Sequence, residues 1–334
     1  LDGRLRDRES PYAALVERGG EDPALEAAAR RDIETFTLLA ELDWDQVLAE
    51  VGGKAPREYG PVLANLPRWR GSSPFSFAEL TEFYRANGAG LFARHRAFLW
   101  EDGALCPVEQ PDCPGADEML GYELQRNRVI ANTRAMLEGN LVNNVLLYGD
   151  SGTGKSATVK NLLTLPGFEA LRLIEVQKEG LADLPRLIRT LGGRRLKFIL
   201  FIDDLAFDQD DKTYSALKTI LEGGLERRPA NVAVYATSNR RRLVRQTFSD
   251  RAGDEVDASE TIQEKTSLSD RFGLRIPYLA LNQAEFLELV EGMAEQAGIA
   301  LDRDSLRAEA VKWEMRNPGR TPRTAKQFIA SLSL

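Results

Sequence analysis

The sequence predicts an α/β fold: a parallel five-stranded sheet flanked by helices, with a helical segment before it and another after it. Three observations predict this. Short strand-like runs at 144–148, 171–176, 198–204, 231–239 and 274–281 alternate with stretches of helical period, the pattern of parallel strands joined by crossover helices. The first run leads directly into a glycine-rich loop, Gly149-Asp150-Ser151-Gly152-Thr153-Gly154-Lys155-Ser156, and a helix begins at once after it. The third run, Phe198-Ile199-Leu200-Phe201-Ile202-Asp203-Asp204, is continuously apolar until it ends in adjacent acids.

Bulk properties bound the reading. A chain of 334 residues is long enough for about two domains. Its 43% apolar and 28% charged residues are those of an ordinary globular protein. A net charge of −7 argues against coating of nucleic acid through bulk positive charge and leaves room for a local basic patch. No apolar run approaches the ~18 residues that span a bilayer, and no charged start leads into an apolar leader segment, so no membrane association is expected and a cytoplasmic location is. Cys106 and Cys113 flank an acidic, proline-rich stretch without histidine. Two such ligands are too few for a metal centre, and two free thiols are expected, with a disulfide across the loop as the alternative.

The N-terminal third reads as helical. Ile33, Phe36, Leu39 and Leu42 share one face of a helix starting near Pro23, and Trp44, Val47, Leu48 and Val51 continue the pattern up to Gly52-Gly53. Ser76 and Glu79 stand at capping-box spacing before Leu80, Phe83 and Tyr84. Leu91, His95, Phe98 and Leu99 recur at helical spacing, so the single histidine is expected in a core or an interface. No catalytic constellation precedes residue 117. Residues 1–116 are therefore expected to be an all-helical partner or assembly domain, bounded by the Pro107, Pro111 and Pro114 stretch. Residues 117–281 form the predicted α/β core and 282–334 a C-terminal helical lid, opened by Asn282 with Glu285 as caps.

The glycine-rich loop fits the P-loop pattern. Its glycines let the backbone wrap a polyphosphate with N–H groups inward, Lys155 neutralises phosphate oxygens and Ser156 holds Mg²⁺. The acids that end the third strand suit the same chemistry. Asp203 is expected to orient the metal's water shell, and Asp204 to polarise an attacking water. Strand arithmetic brings Asn239 to the same sheet edge, within reach of a terminal phosphate or that water.

A P-loop, a strand ending in two acids, a strand ending Ala236-Thr237-Ser238-Asn239 and later spaced arginines together resemble an AAA+ ATPase. A closer resemblance is to the predicted bacterial ATPases of domain-of-unknown-function family 815. It is carried by Gly121-Tyr122-Glu123, Asn143-Asn144-Val145-Leu146-Leu147-Tyr148-Gly149, Leu171-Arg172-Leu173-Ile174-Glu175-Val176, Leu221-Glu222-Gly223-Gly224-Leu225-Glu226 and Ala236-Thr237-Ser238-Asn239-Arg240-Arg241, and it covers about residues 117–330.

The resemblance implies an ATP hydrolase using Mg²⁺, with Tyr122, Gly149, Asp150, Ser151, Gly152, Thr153, Gly154, Lys155, Ser156 and Ala157 on the nucleotide. Asn239 resembles sensor 1. Arg271, in Ser269-Asp270-Arg271-Phe272-Gly273, resembles an arginine finger that enters a neighbouring subunit, which implies a homo-oligomer; a local ion pair is the alternative. Arg323 resembles sensor 2, in the first turn of the last helix after Thr321 and Pro322, with Arg320 as the fallback. The client is an unidentified protein or nucleic acid. Arg240, Arg241, Arg242 and Arg245 suit either nucleic-acid phosphates or a subunit interface. Many AAA+ proteins end the acidic strand in Asp-Glu, whereas Asp204 is one methylene shorter, so a nucleotide-gated switch with little turnover stands as the second reading.

Overall fold

The computed structural model describes residues 10–54, 56–64, 76–206, 217–218, 220–221, 228–239, 268–317 and 319–332. The arginine cluster at 240–245 lies outside them. The chain divides into two compact units, Leu1–Ala93 and Arg94–Leu334, ahead of the boundary expected near 116.

The first unit is helical: α1 (Pro11–Glu17), α2 (Pro23–Glu41), α3 (Trp44–Lys54), α4 (Gly60–Ala64) and α5 (Phe77–Asn87), with a one-turn α6 (Leu91–Arg94) at its end. Asp22 caps α2 by accepting the amides of Ala24 and Leu25, and Ser76 with Glu79 makes the reciprocal box that opens α5. Tyr12 on α1 holds α5 through its hydroxyl, 2.7 Å from Thr81 Oγ1, and its ring, 5.2 Å from that of Phe77. On the apolar face predicted for α2, Phe36 at 53% and Leu39 at 40% stay exposed, and Leu42 falls just past the helix end.

The second unit is built on one sheet of β1 (Ala97–Glu101), β2 (Ala104–Pro107), β3 (Val145–Gly149), β4 (Leu171–Val176), β5 (Lys197–Ile202), β6 (Val232–Ser238) and β7 (Leu274–Tyr278). Their order is β2-β1-β4-β5-β6-β3-β7, and every neighbouring pair is parallel except β1–β2. Among the described residues the sheet therefore has seven strands rather than the expected five. Phe98 and Leu99, expected on a helix, lie in β1, where Phe98 pairs with Ile174 and Leu99 with Glu175. Over so short a run, helical and strand spacings coincide. The turn decides: Asp102 and Gly103 have φ of 50° and 74°, the left-handed pair that closes a tight hairpin between β1 and β2.

Strands β5 and β6 are apolar along nearly their whole length because both faces of the sheet are covered. One face presents Leu147, Ile199, Phe201 and Tyr235 to Val129 and Met136 of α7 (Glu123–Leu137) and Val159 of α8 (Lys155–Asn161). Each such buried side chain contributes roughly 1.5–3 kcal/mol relative to exposure. Tyr235 adds a polar tie, its hydroxyl lying 2.8 Å from Thr133 Oγ1 and accepting from Asn132 Nδ2 at 2.9 Å. A further helix, α9 (Leu184–Leu191), buries Leu184, Leu187, Ile188 and Leu191.

After β7 come α10 (Gln283–Gln296), α11 (Arg303–Arg316) and α12 (Pro322–Leu332), which bury their own cluster around Phe286, Leu289, Val290, Leu306, Ala310 and Phe328. The predicted Asn282–Glu285 capping box is present at the start of α10.

Candidate functional site

Parallel pairing sets the site. Tyr148 pairs with Ser238 and Ile202 with Ala236, so the carboxyl ends of β3, β5 and β6 bring Gly149, Asp203 and Asn239 to one edge. A cavity of about 370 Å³ lies there. Residues 151–157 line it together with Asp203, Asp204, Thr237 and Asn239, and Tyr122, Met293, Arg323 and Lys326 close it from other sides.

The loop turns where only glycine fits. Gly149 has φ of 135°, and a β carbon there would sit 2.2 Å from the carbonyl oxygen of Tyr278 on β7. The next amide, that of Asp150, donates to that same carbonyl at 2.9 Å. Lys155, 5% exposed, stands in the first turn of α8. Its Nζ donates to Gly149 O at 3.3 Å, Asp150 O at 2.6 Å and Asn239 Oδ1 at 2.9 Å. Burial pushes the ammonium's pKa down, opposed by the carboxylates of Asp150, Asp204 and Asp203.

The acids are held by hydroxyls and amides. Ser156 Oγ and Thr237 Oγ1 both donate to Asp203 Oδ1, at 2.6 and 2.5 Å. The Asp204 amide donates to Thr237 Oγ1 at 2.9 Å, and Asn239 Nδ2 donates to Asp204 Oδ1 at 2.8 Å. Asp204 has φ of 49°, a left-handed conformation that a short polar side chain tolerates better than a bulky one. Among the described residues no group of three or more His, Cys, Asp or Glu side chains is placed to hold a metal ion. Ser156 and Asp203 are thus a partial, all-oxygen donor set. It fits a hard cation such as Mg²⁺, which keeps waters and shares its ligands with phosphate.

The C-terminal helices close the other side. The amide of Arg323 donates to Gly152 O at 3.2 Å, and its guanidinium reaches Ser151 Oγ at 3.4 Å. Gly152, with φ of 77°, lets this approach happen, since a β carbon there would lie 3.0 Å from that of Arg323. Lys326 follows one turn later on the same face. Arg320 is ion-paired with Glu314 at 2.7 Å and is not among the cavity-lining residues. Tyr122 stacks on Tyr278 with ring centres 5.1 Å apart and donates its hydroxyl to Leu279 O at 2.6 Å. Burial raises the pKa of both phenols, that of Tyr278 to about 12.

Of the residues predicted for the site, Tyr122, residues 151–157, Asp203, Asp204, Asn239 and Arg323 meet around the cavity. Gly149 and Asp150 stand behind the loop, where their carbonyls hold Lys155. Arg271 is not brought there. It precedes β7, whose first residue pairs with Val145 and whose last pairs with Gly149, so the strand's length of about 16 Å lies between it and the loop. Thr237, Tyr278 and Lys326 are site residues that the sequence pattern did not single out. Only Thr237 carried a signal, two positions before Asn239 and hence on the same side of the strand. The two cysteines are free thiols, and His95 lies edge-on to Phe98 with ring centres 6.4 Å apart.

Among solved structures the chain is similar to the Thermotoga maritima RuvB Holliday junction branch migration motor, with 17% identity, a TM-score of 0.41, and coverage of 66% of this chain and 63% of that one. Two single-substitution variants of that protein match at 16% identity and a TM-score of 0.42, covering 66% of this chain and 64% or 63% of theirs. The chain thus spans less than two thirds of the length of the structures it matches. No curated protein matches it. Residues 93–333 match the family described as "Protein of unknown function (DUF815)", and the chain belongs to that family.

Proposed function

We propose that the protein is an AAA+ ATPase that binds ATP with Mg²⁺ and hydrolyses it to ADP and phosphate as a homo-oligomer. The observation that carries this reading is the cavity framed by the glycine loop, Lys155, the Ser156–Asp203 pair, Asp204 with Asn239, and Arg323. Backbone amides of residues 151–156 cradle the phosphates, and the Lys155 ammonium meets the outer phosphate oxygens. Tyr122 and Met293 give the cavity an apolar end for the base. Ser156 and Asp203 would hold Mg²⁺, whose bound charge would neutralise the phosphates. Asn239 orients the attacking water, the Asp204 carboxylate takes its proton, and Arg323 faces the phosphate chain.

Arg271 acts on a neighbouring copy in this reading, supported by its position a strand's length from its own loop. The assembly remodels a protein or nucleic-acid client in the cytoplasm. Among the described residues no helix is long and apolar enough to cross a membrane. One observation favours a slower, switch-like variant of the same chemistry: Asp204 is shorter than glutamate and its Oδ1 is already engaged by Asn239.

Calorimetry with ATP or ADP and Mg²⁺, on the parent and Lys155→Ala, tests binding. Phosphate release per subunit over a protein concentration series, with Arg271→Ala beside the parent, tests assembly. Lys155→Ala is expected to abolish uptake. Turnover per subunit is expected to rise with concentration in the parent and to drop at least ~100-fold in Arg271→Ala, with binding retained. A parent that takes up no nucleotide, or that Lys155→Ala does not differ from, refutes the proposal.

A further inference from the structure

Asp150 takes no part in the cavity wall, yet four hydrogen bonds hold it. Its amide donates to Tyr278 O at 2.9 Å, and its carbonyl accepts from Lys155 Nζ at 2.6 Å and from Thr153 Oγ1 at 2.8 Å. Its carboxylate turns the other way and accepts the amide of Ala280 at 2.7 Å. Ala280 belongs to the short connection between β7 and α10, the segment through which the sheet leads into the C-terminal helices.

Three of the four residues of that connection are gripped from outside it. Leu279 O accepts the Tyr122 hydroxyl at 2.6 Å, the Ala280 amide is held by Asp150, and the Leu281 amide donates to Arg320 O at 2.9 Å. Three residues after Arg320, the Arg323 amide returns to the loop at Gly152 O, 3.2 Å away. The contacts therefore close a circuit: Asp150 to Ala280, Leu281 to Arg320, Arg323 to Gly152, and back along the loop to Asp150. Leu281 with Arg320, and Arg323 with Gly152, are joined backbone to backbone. Asp150 supplies the one side chain in the circuit, and its bond to Ala280 is charge-assisted.

We propose that Asp150 is a positioning residue that couples the phosphate loop to the orientation of α10, α11 and α12, so that an occupant of the loop sets where Arg323 stands. The proposal rests on the nucleotide reading above. A phosphate drawn to the loop engages Lys155, which hangs from the carbonyl of Asp150; the carboxylate of the same residue passes any shift to the first residues before α10. Linkage makes the effect reciprocal, since helices held in the closed position then favour the occupant by the same factor.

Hydrogen exchange on the full chain tests this. In Asp150→Ala the Ala280 amide is expected to exchange about tenfold faster or more, and the slowing of exchange across Pro322–Leu332 on addition of ATP and Mg²⁺ is expected to vanish. Asp150→Asn keeps a carbonyl oxygen for the same amide and is expected to retain both behaviours, which separates a lost link from a damaged fold. Asp150→Ser replaces the alanine variant if that one does not fold. ATP affinities of Asp150→Ala, Arg323→Ala and the double variant are expected to be non-additive, because one residue acts through the other. Unchanged exchange at Ala280, or additive losses, overturns the proposal. A parent that takes up no ATP while Asp150→Ala still frees the Ala280 amide sinks the nucleotide reading and the coupling with it, leaving a structural tie alone.

Discussion

Gly149 shows how little freedom the loop has. A β carbon would meet a backbone oxygen that is itself fixed by pairing of β7 with β3, so neither side can give way. Gly149→Ala is expected to cost about 2–3 kcal/mol of stability through backbone strain and overlap, measured by urea unfolding. Lys155, Ser156, Asp203 and Asn239 were legible in the sequence because each belongs to a local strand-and-turn pattern. Tyr278 and Lys326 were not, since they reach the site through the pairing of β7 and the packing of α12, which no short pattern records. Asp150 was legible as a loop residue, but its bond to Ala280, 130 positions away, was not.

Elements with a single local pattern were read well, and the one whose residues fitted two patterns was not. Both capping boxes stand where their spacing predicts. The β1–β2 hairpin went unread although Asp102-Gly103 carried its signal, because Phe98 and Leu99 also continued a helical spacing from Leu91 and His95. Among the C-terminal helices, Glu291 on α10 accepts Arg303 Nε from α11 at 2.9 Å and also pairs with Arg307. These hydrogen bonds lower its pKa from 4.5 to about 2. A carboxyl depressed in the folded state adds stability that is fully present above pH 4.5 and is lost as pH falls through about 2. Between those limits the parent's melting temperature is therefore expected to fall more steeply than that of Glu291→Gln; equal slopes show that the pair adds nothing.

For the molecule as a whole, the family match begins at residue 93, where the two compact units divide. The division near 116 expected from the prolines passes beyond β2, so a cut there removes β1 and β2 and bares the edge of β4. A chain of residues 94–334 is expected to unfold cooperatively and to bind ATP. One of residues 117–334 is expected to aggregate or to melt at lower temperature, as read by size-exclusion chromatography and calorimetry. Comparable behaviour of the two pieces shows that the hairpin is dispensable.

The same hairpin has a further consequence. Its outer strand has only four residues and finishes on Pro107, which has no N–H to offer. Such a margin is a poor template for a foreign strand, so the sheet offers little on that side for another chain to continue. Any partner that meets this margin is left mainly with side chains to hold.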